Sequence, residues 1–278
     1  MVKNNKFLVE QLVLEVTRKC NMTCKHCLRG PAENVDMTKE IVDKTFANIE
    51  SVSSLVFTGG EPFMNVDIIE YALEVVKTKE IPVFELFLVT NAKVVKDRYI
   101  KVLNDWMLYV AICNCGDRIL TTKSYLPDTE DMFSYGGVAI SRDKFHDPIP
   151  MENYIRYRML SYYSDIKEHK GDEFKNIRNE GNAKINGIGT YNPERNIVCV
   201  DYSILDNLNG VIISDLRVEG NLYINVKGDV LGDCDVSYVN QKSISIGNIL
   251  EMPLINLLEK VAITQENLDY DECIKKVI

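Results

Sequence analysis

Three of the chain's eight cysteines fall within eight positions, in the stretch TRKCNMTCKHCLRG. Cys20, Cys24 and Cys27 are spaced C-x3-C-x2-C. In a reducing compartment, thiols this close are metal ligands or catalytic groups rather than disulfides. A structural zinc site takes four ligands, and His26 is a poor fourth because it adjoins Cys27. Thiolates also hold iron–sulfur clusters, and a [4Fe–4S] cube normally takes four of them. Three leave one iron free for a ligand that is not protein. Two blander readings stay open from the residues alone: a zinc ion borrowing a distant ligand, and unrelated cysteines.

Further polar groups recur where strands should end. FTGGEP (57–62) sets Gly59, Gly60, Glu61 and Pro62 in a tight turn, VTNA (89–92) ends on Thr90 and Asn91, and AISRD (139–143) carries Ser141 and Asp143. Taken singly, each is an ordinary loop or polar strand terminus. What matters is that each follows a predicted strand.

Those strands alternate with helices over the first two thirds of the chain. QLVLEVT (11–17) alternates apolar residues as a strand does, and Thr38 caps a helix to about residue 50. SLVFT (54–58), PVFELFLVTN from Pro82, MLYVAIC (107–113), GGVAIS (136–141) and EFKNIRNEG (173–181) read as further strands. Helices are expected near 66–79, 93–104 and 151–169, with a loop over 118–135, where Pro127 breaks any long helix. The serial β-then-α order implies a parallel sheet with right-handed crossovers, a partial (β/α)6 TIM-like barrel. In such folds ligands gather at the C-terminal ends of the strands. From about residue 191 the pattern changes to short strand candidates with Gly, Asn and Asp turns, including a hairpin at NVKGDV, and helices near 251–262 and 265–276. The division expected is residues 1–190 for the barrel and 191–278 for a short α+β extension.

Composition narrows the function. The net charge of −9 argues against non-specific nucleic-acid binding, which needs a basic footprint. The acid-interrupted N-terminus MVKNNKFLVEQLVLEV lacks a cleavage site, and the most apolar stretch is too short to span a membrane, so the chain reads as cytoplasmic with no membrane partner.

CNMTCKHC resembles the hallmark C-x3-C-x-aromatic-C motif of the radical S-adenosylmethionine (radical SAM) superfamily, with His26 in the ring-bearing position. FTGGEP is similar to that family's glycine motif after strand two, VTNA to its strand-three end, and AISRD to its Ser-x-Asp element. NEGNA (179–183) lies where many relatives carry an arginine, here replaced by Asn182. The resemblance covers roughly residues 10–190. It implies a [4Fe–4S] cluster on Cys20, Cys24 and Cys27. It also implies S-adenosylmethionine held by His26, Gly59, Gly60, Glu61, Thr90, Asn91, Ser141 and Asp143. By the same resemblance, an external electron donor such as flavodoxin or ferredoxin reduces the cluster, and a 5′-deoxyadenosyl radical abstracts hydrogen from the substrate. The tail resembles, in outline, the twitch-like appendages of peptide-modifying relatives that cover the barrel mouth. A peptide or protein is therefore the first substrate reading. A nucleotide, cofactor precursor, other small molecule or RNA base is the second, and a non-catalytic iron–sulfur protein the third.

Five cysteines remain. Cys113 and Cys115, in CNCG, would end the fourth strand facing the cavity, where a thiol could return a hydrogen atom to a substrate radical. Cys199, Cys234 and Cys273 read as small core hydrophobes, while Cys199 and Cys234 also resemble the appendages of peptide-modifying relatives that hold auxiliary iron–sulfur clusters. His146 follows Asp143 closely enough to stand near a substrate, whereas His169 suits the end of a helix.

Overall fold

A computed structural model of the chain describes residues 2–115, 136–142, 144–158, 165–170, 177–192, 195, 198–208 and 211–266. Strand β1 (Val2–Thr17) is followed by α1 (Lys39–Thr45), β2 (Ile49–Gly59), α2 (Val66–Thr78), β3 (Val83–Thr90), α3 (Asp97–Cys115), β4 (Gly136–Arg142), α4 (Met151–Arg158) and β5 (Asp165–Lys170). Then come α5 (Gly181–Ile185), β6 (Cys199–Leu208), β7 (Val211–Ile224), β8 (Asp229–Leu231), α6 (Tyr238–Gln241), β9 (Gly247–Asn248) and α7 (Leu254–Glu266). The strands lie in the order β5-β4-β3-β2-β1-β7-β8-β9, with β6 paired to β7. Strands β1 to β5 run parallel, as does β7 beside β1, while β6, β8 and β9 pair antiparallel. The sheet is open, which is compatible with the partial barrel read from the sequence.

Alternation along the strands builds two unlike faces. Leu12, Leu14 and Val16 of β1, Leu55 and Phe57 of β2, and Leu86 and Leu88 of β3 join the main core with α2 and α3. There the Phe57 and Trp106 rings meet edge to face at 5.4 Å, and the Trp106 indole N–H donates to Ile69 O at 3.0 Å. The intervening Gln11, Val13, Val56, Thr58 and Val89 face a cavity on the other side.

Several elements differ from the sequence expectation. MLYVAIC is not the fourth strand; it lies within α3, because its unbroken apolar run also fits helical spacing and seats Trp106, Met107, Val110 and Ala111 against the core. The Tyr109 hydroxyl pins this helix by donating to Ile81 O at 2.7 Å. The fourth strand is therefore GGVAISR, pairing with β3. The helix expected over 151–169 stops within the described residues at Arg158, and DIKEHK forms β5, last in the sheet order, where a charged composition is tolerated. In the expected strand 173–181, residues 173–176 lie outside the described residues, Arg178 makes an isolated bridge to Tyr191, and a helix begins at Gly181. The loop 118–135 and the helix beyond residue 266 also lie outside the described residues. Among the described residues, no helix is long and apolar enough to cross a membrane.

Candidate active site

The C-terminal ends of β1, β2 and β3 open into a cavity of about 490 Å³. Cys20, Cys24 and Cys27 line it, together with His26, Gly59, Gly60, Thr90, Asn91 and Ser141. The three cysteines are partly buried and stand in no disulfide.

Backbone contacts fix the glycine turn against the cysteine loop. Gly60 N donates to Thr17 O at 2.9 Å and Glu61 N to Lys19 O at 2.8 Å. A Cβ on Gly59 would stand 2.2 Å from Thr17 O and one on Gly60 2.3 Å from Lys19 O, so only glycine permits this approach. Glu61 turns away from the cavity toward the end of β3. Its carboxylate accepts from Thr90 Oγ1 and from Asn91 N, each at 2.9 Å, and from Phe63 N at 3.3 Å. Burial pushes its pKa up to about 7, against the pull of those donors. Glu61 does not line the cavity; it positions the residues that do. Asn91 in turn donates from Nδ2 to Asn21 Oδ1 at 2.8 Å and reaches Cys20 Sγ at 3.9 Å.

The other side of the loop is braced from α5. Asn182 N donates to Cys27 O at 2.8 Å, Asn182 Nδ2 to Cys24 O at 3.0 Å, and Asn186 Nδ2 to Lys25 O at 3.1 Å. Gly181 (φ +51°) permits this contact, since a Cβ there would lie 2.3 Å from Leu28 O. The sequence located this stretch by resemblance but could not show that the asparagines hold the cysteine loop, because the partners lie more than 150 positions apart.

His26 stacks on Phe145 at 4.8 Å and meets His146 edge-on at 5.1 Å, forming an aromatic wall. Asp143 lies outside the described residues. Cys113 corrects an expectation: it sits near the end of α3 beside Tyr109 and does not line the cavity, because the strand meant to carry it is helix. Cys115 closes the same helix, and its side chain lies outside the described residues. Among the described residues, the thiol that reaches the cavity from elsewhere is Cys234, in the loop after β8, where burial pushes its pKa up to about 11. Cys199 is exposed on β6, and Cys273 lies outside the described residues.

The C-terminal segment is seated by a buried polar network. Glu15, fully buried, accepts from Arg18 Nε at 2.8 Å, from the Tyr223 hydroxyl at 2.5 Å and from Gln241 Nε2 at 2.7 Å. The Arg18 guanidinium lies 4.3 Å from the Tyr238 ring centroid and also pairs with Glu33 at 2.8 Å. Across the cavity rim, Arg178 pairs with Asp235 at 2.7 Å, and Arg195 bridges Glu180 and Asp233.

Among the described residues, no three His, Cys, Asp or Glu side chains converge as the ligands of a single ion would. A cuboidal cluster places each thiolate on a different iron, so it requires three thiols lining one cavity rather than meeting at one point. Cys20, Cys24 and Cys27 meet that requirement.

Residues 14–112, from within β1 to within α3, match the model of the Radical SAM superfamily. A stretch of 66 residues is 35% identical to the uncharacterized protein MJ0907 of Methanocaldococcus jannaschii, and covers 22% of this chain and 23% of that protein. The chain thus matches less than a quarter of that relative's length. Its fold is similar to that of native anSMEcpe with bound AdoMet and Kp18Cys peptide, with a TM-score of 0.50 and 14% identity over 91% of this chain and 80% of that one. Streptococcus suis SuiB bound to precursor peptide SuiA aligns with a TM-score of 0.41 and 14% identity over 89% of this chain and 64% of that one.

Proposed function

We propose that this chain, whose residues 14–112 match the model of the Radical SAM superfamily, is an enzyme that uses a [4Fe–4S] cluster and S-adenosylmethionine to modify a peptide or protein by hydrogen abstraction. The observation that carries the reading is the shared cavity, where the three loop cysteines, the glycine turn and the ends of β3 and β4 face one another. When bound, the reduced cluster and S-adenosylmethionine supply the 5′-deoxyadenosyl radical that takes a hydrogen atom from the substrate.

The protein's own residues bind, orient and shield. Cys20, Cys24 and Cys27 hold the cluster, and the Asn91 amide, within reach of Cys20 Sγ, orients that ligand and tunes it. Gly59 and Gly60 let backbone groups approach the cofactor's methionine end, with Thr90 and Ser141 alongside. His26, backed by Phe145 and His146, offers a flat face for a ring. Residues 191–278 act as the cover that excludes water: β7 extends the sheet beside β1, and Cys234 and Asp235 reach the cavity. The peptide reading draws support from this cover and from the peptide named in the structure of similar fold. An external donor such as flavodoxin or ferredoxin supplies the electron in the cytoplasm.

The test is 5′-deoxyadenosine release. Anaerobically reconstituted protein given reductant and S-adenosylmethionine should release it at least slowly without substrate. Cys20→Ala, Cys24→Ala and Cys27→Ala should each abolish the release. A wild type that releases none while binding both cofactors would defeat the catalytic reading.

A further inference from the structure

A second cavity, of about 450 Å³, lies further down the strands, where Glu10, Gln11, Ser54, Glu85 and Phe87 line it. Gln11 lines both cavities and so joins them. Gln11, Ser54 and Glu85 stand in register on β1, β2 and β3, on the face that carries Val13, Val56 and Phe87 two residues on. Their neighbours Leu12, Leu55 and Leu86 point the other way, into the core. Ser54 precedes Gly59 by five residues on β2, roughly 16 Å at the usual strand rise. A group seated at this polar row is therefore out of reach of the glycine turn.

The chain itself does not complete the row. Ser54 is only 7% exposed, and its hydroxyl has no hydrogen-bond partner among the described residues. A buried hydroxyl left unbonded is costly unless a ligand supplies the partner. Beside it, Glu85 has no lysine, arginine or histidine at ion-pair distance among the described residues. The described lining of this cavity carries two carboxylates, Glu10 and Glu85, and no cationic side chain. Cys20, Cys24 and Cys27 line the first cavity and not this one.

The acceptors select the ligand. A metal ion is a poor match, because no three ligating side chains converge among the described residues. An ammonium or guanidinium suits the row. Its several N–H donors can meet the Glu85 carboxylate, the Ser54 hydroxyl and the Gln11 amide oxygen together. The Phe87 ring lines the same cavity and adds an aromatic neighbour for the charge.

We propose that the second cavity is a subsite for a cationic side chain, and that the substrate peptide passes a lysine or arginine beyond Gln11 to Ser54 and Glu85. The peptide part of this proposal rests on the function proposed above; the cationic subsite does not.

Two sets of probes separate those parts. The first is alanine-based pentapeptides, acetylated and amidated, with a central lysine, arginine or norleucine. The second is butylammonium and butylguanidinium, with butanol as the neutral control. Each is titrated calorimetrically into reconstituted protein saturated with S-adenosylmethionine, for the wild type, Glu85→Gln and Ser54→Ala. In the wild type a cationic probe should bind about tenfold more tightly than its neutral counterpart, as expected of a charge-assisted pair. Glu85→Gln should erase that preference and Ser54→Ala reduce it about fivefold, with iron content and S-adenosylmethionine affinity unchanged in both. Ser54→Ala keeps the test decisive should Glu85→Gln fail to fold. If the alkyl cations bind in this way and no peptide does, the cationic subsite stands and the peptide reading falls. No preference for either set in the wild type, or a preference that Glu85→Gln leaves intact, would overturn the proposal. So would a loss of S-adenosylmethionine affinity in both variants, which would assign the row to the cofactor.

Discussion

The two walls of the cavity are built by different means. On the cofactor side, backbone meets backbone: the glycine turn lies on Thr17 and Lys19 with no room for a methyl group. On the cover side, side chains separated by more than 200 positions interlock around the buried Glu15–Arg18 pair. The first arrangement leaves a short motif in the sequence. The second leaves isolated polar residues that look unremarkable until the chain is folded. A rigid seat suits an enzyme that must fix its cofactors in one geometry.

The largest effect should come from the cover. Glu15→Ala takes the buried partner from Arg18, leaving it Glu33 alone, and should cost about 3 kcal/mol, read by equilibrium denaturation. If that variant unfolds no more easily than the wild type, the network does not hold the cover. On the opposite wall, Gly60→Ala forces a Cβ against Lys19 O, and overpacking of this kind costs about 1–3 kcal/mol. The contrast sharpens if Gly60→Ala sheds iron to a chelator faster than its loss of stability explains, while Glu15→Ala loses stability and iron in step.

These differences also account for what the sequence could reveal. The cysteine loop, the glycine turn and the ends of β3 and β4 were legible because each packs its chemistry into a few adjacent residues. MLYVAIC was not, since a continuous apolar run suits strand and helix alike and only Trp106 and Tyr109 reaching Ile69 and Ile81 decide it. With that strand went the placement of Cys113 at the cavity. The parallel pairing of β7 with β1 joins residues about 210 positions apart, and no local pattern announces it.

A smaller effect tests the bracing from α5. Asn182→Ala removes the hydrogen bond to Cys24 O and should cost about 1 kcal/mol, with faster cluster loss to chelator as the more sensitive readout. Unchanged cluster lifetime would mean the loop does not depend on that brace. A further test is the pH dependence set by Glu61. Its folded pKa of about 7 lies above the ordinary 4.5, so the native state holds the extra proton between those values. Stability should therefore fall as pH rises from about 4.5 to 7 and then level off. Glu61→Gln should flatten that slope in thermal unfolding followed against pH. A slope that persists in the variant would place its origin in another group.

The most direct test is the metal content and electron paramagnetic resonance spectrum of the anaerobically reconstituted protein. About four irons and four sulfides per chain are predicted, with a reduced-state signal that shifts when S-adenosylmethionine is added and is lost in Cys27→Ala. A single tetrahedral metal per chain, or a full complement of iron that Cys27→Ala leaves intact, would contradict the account.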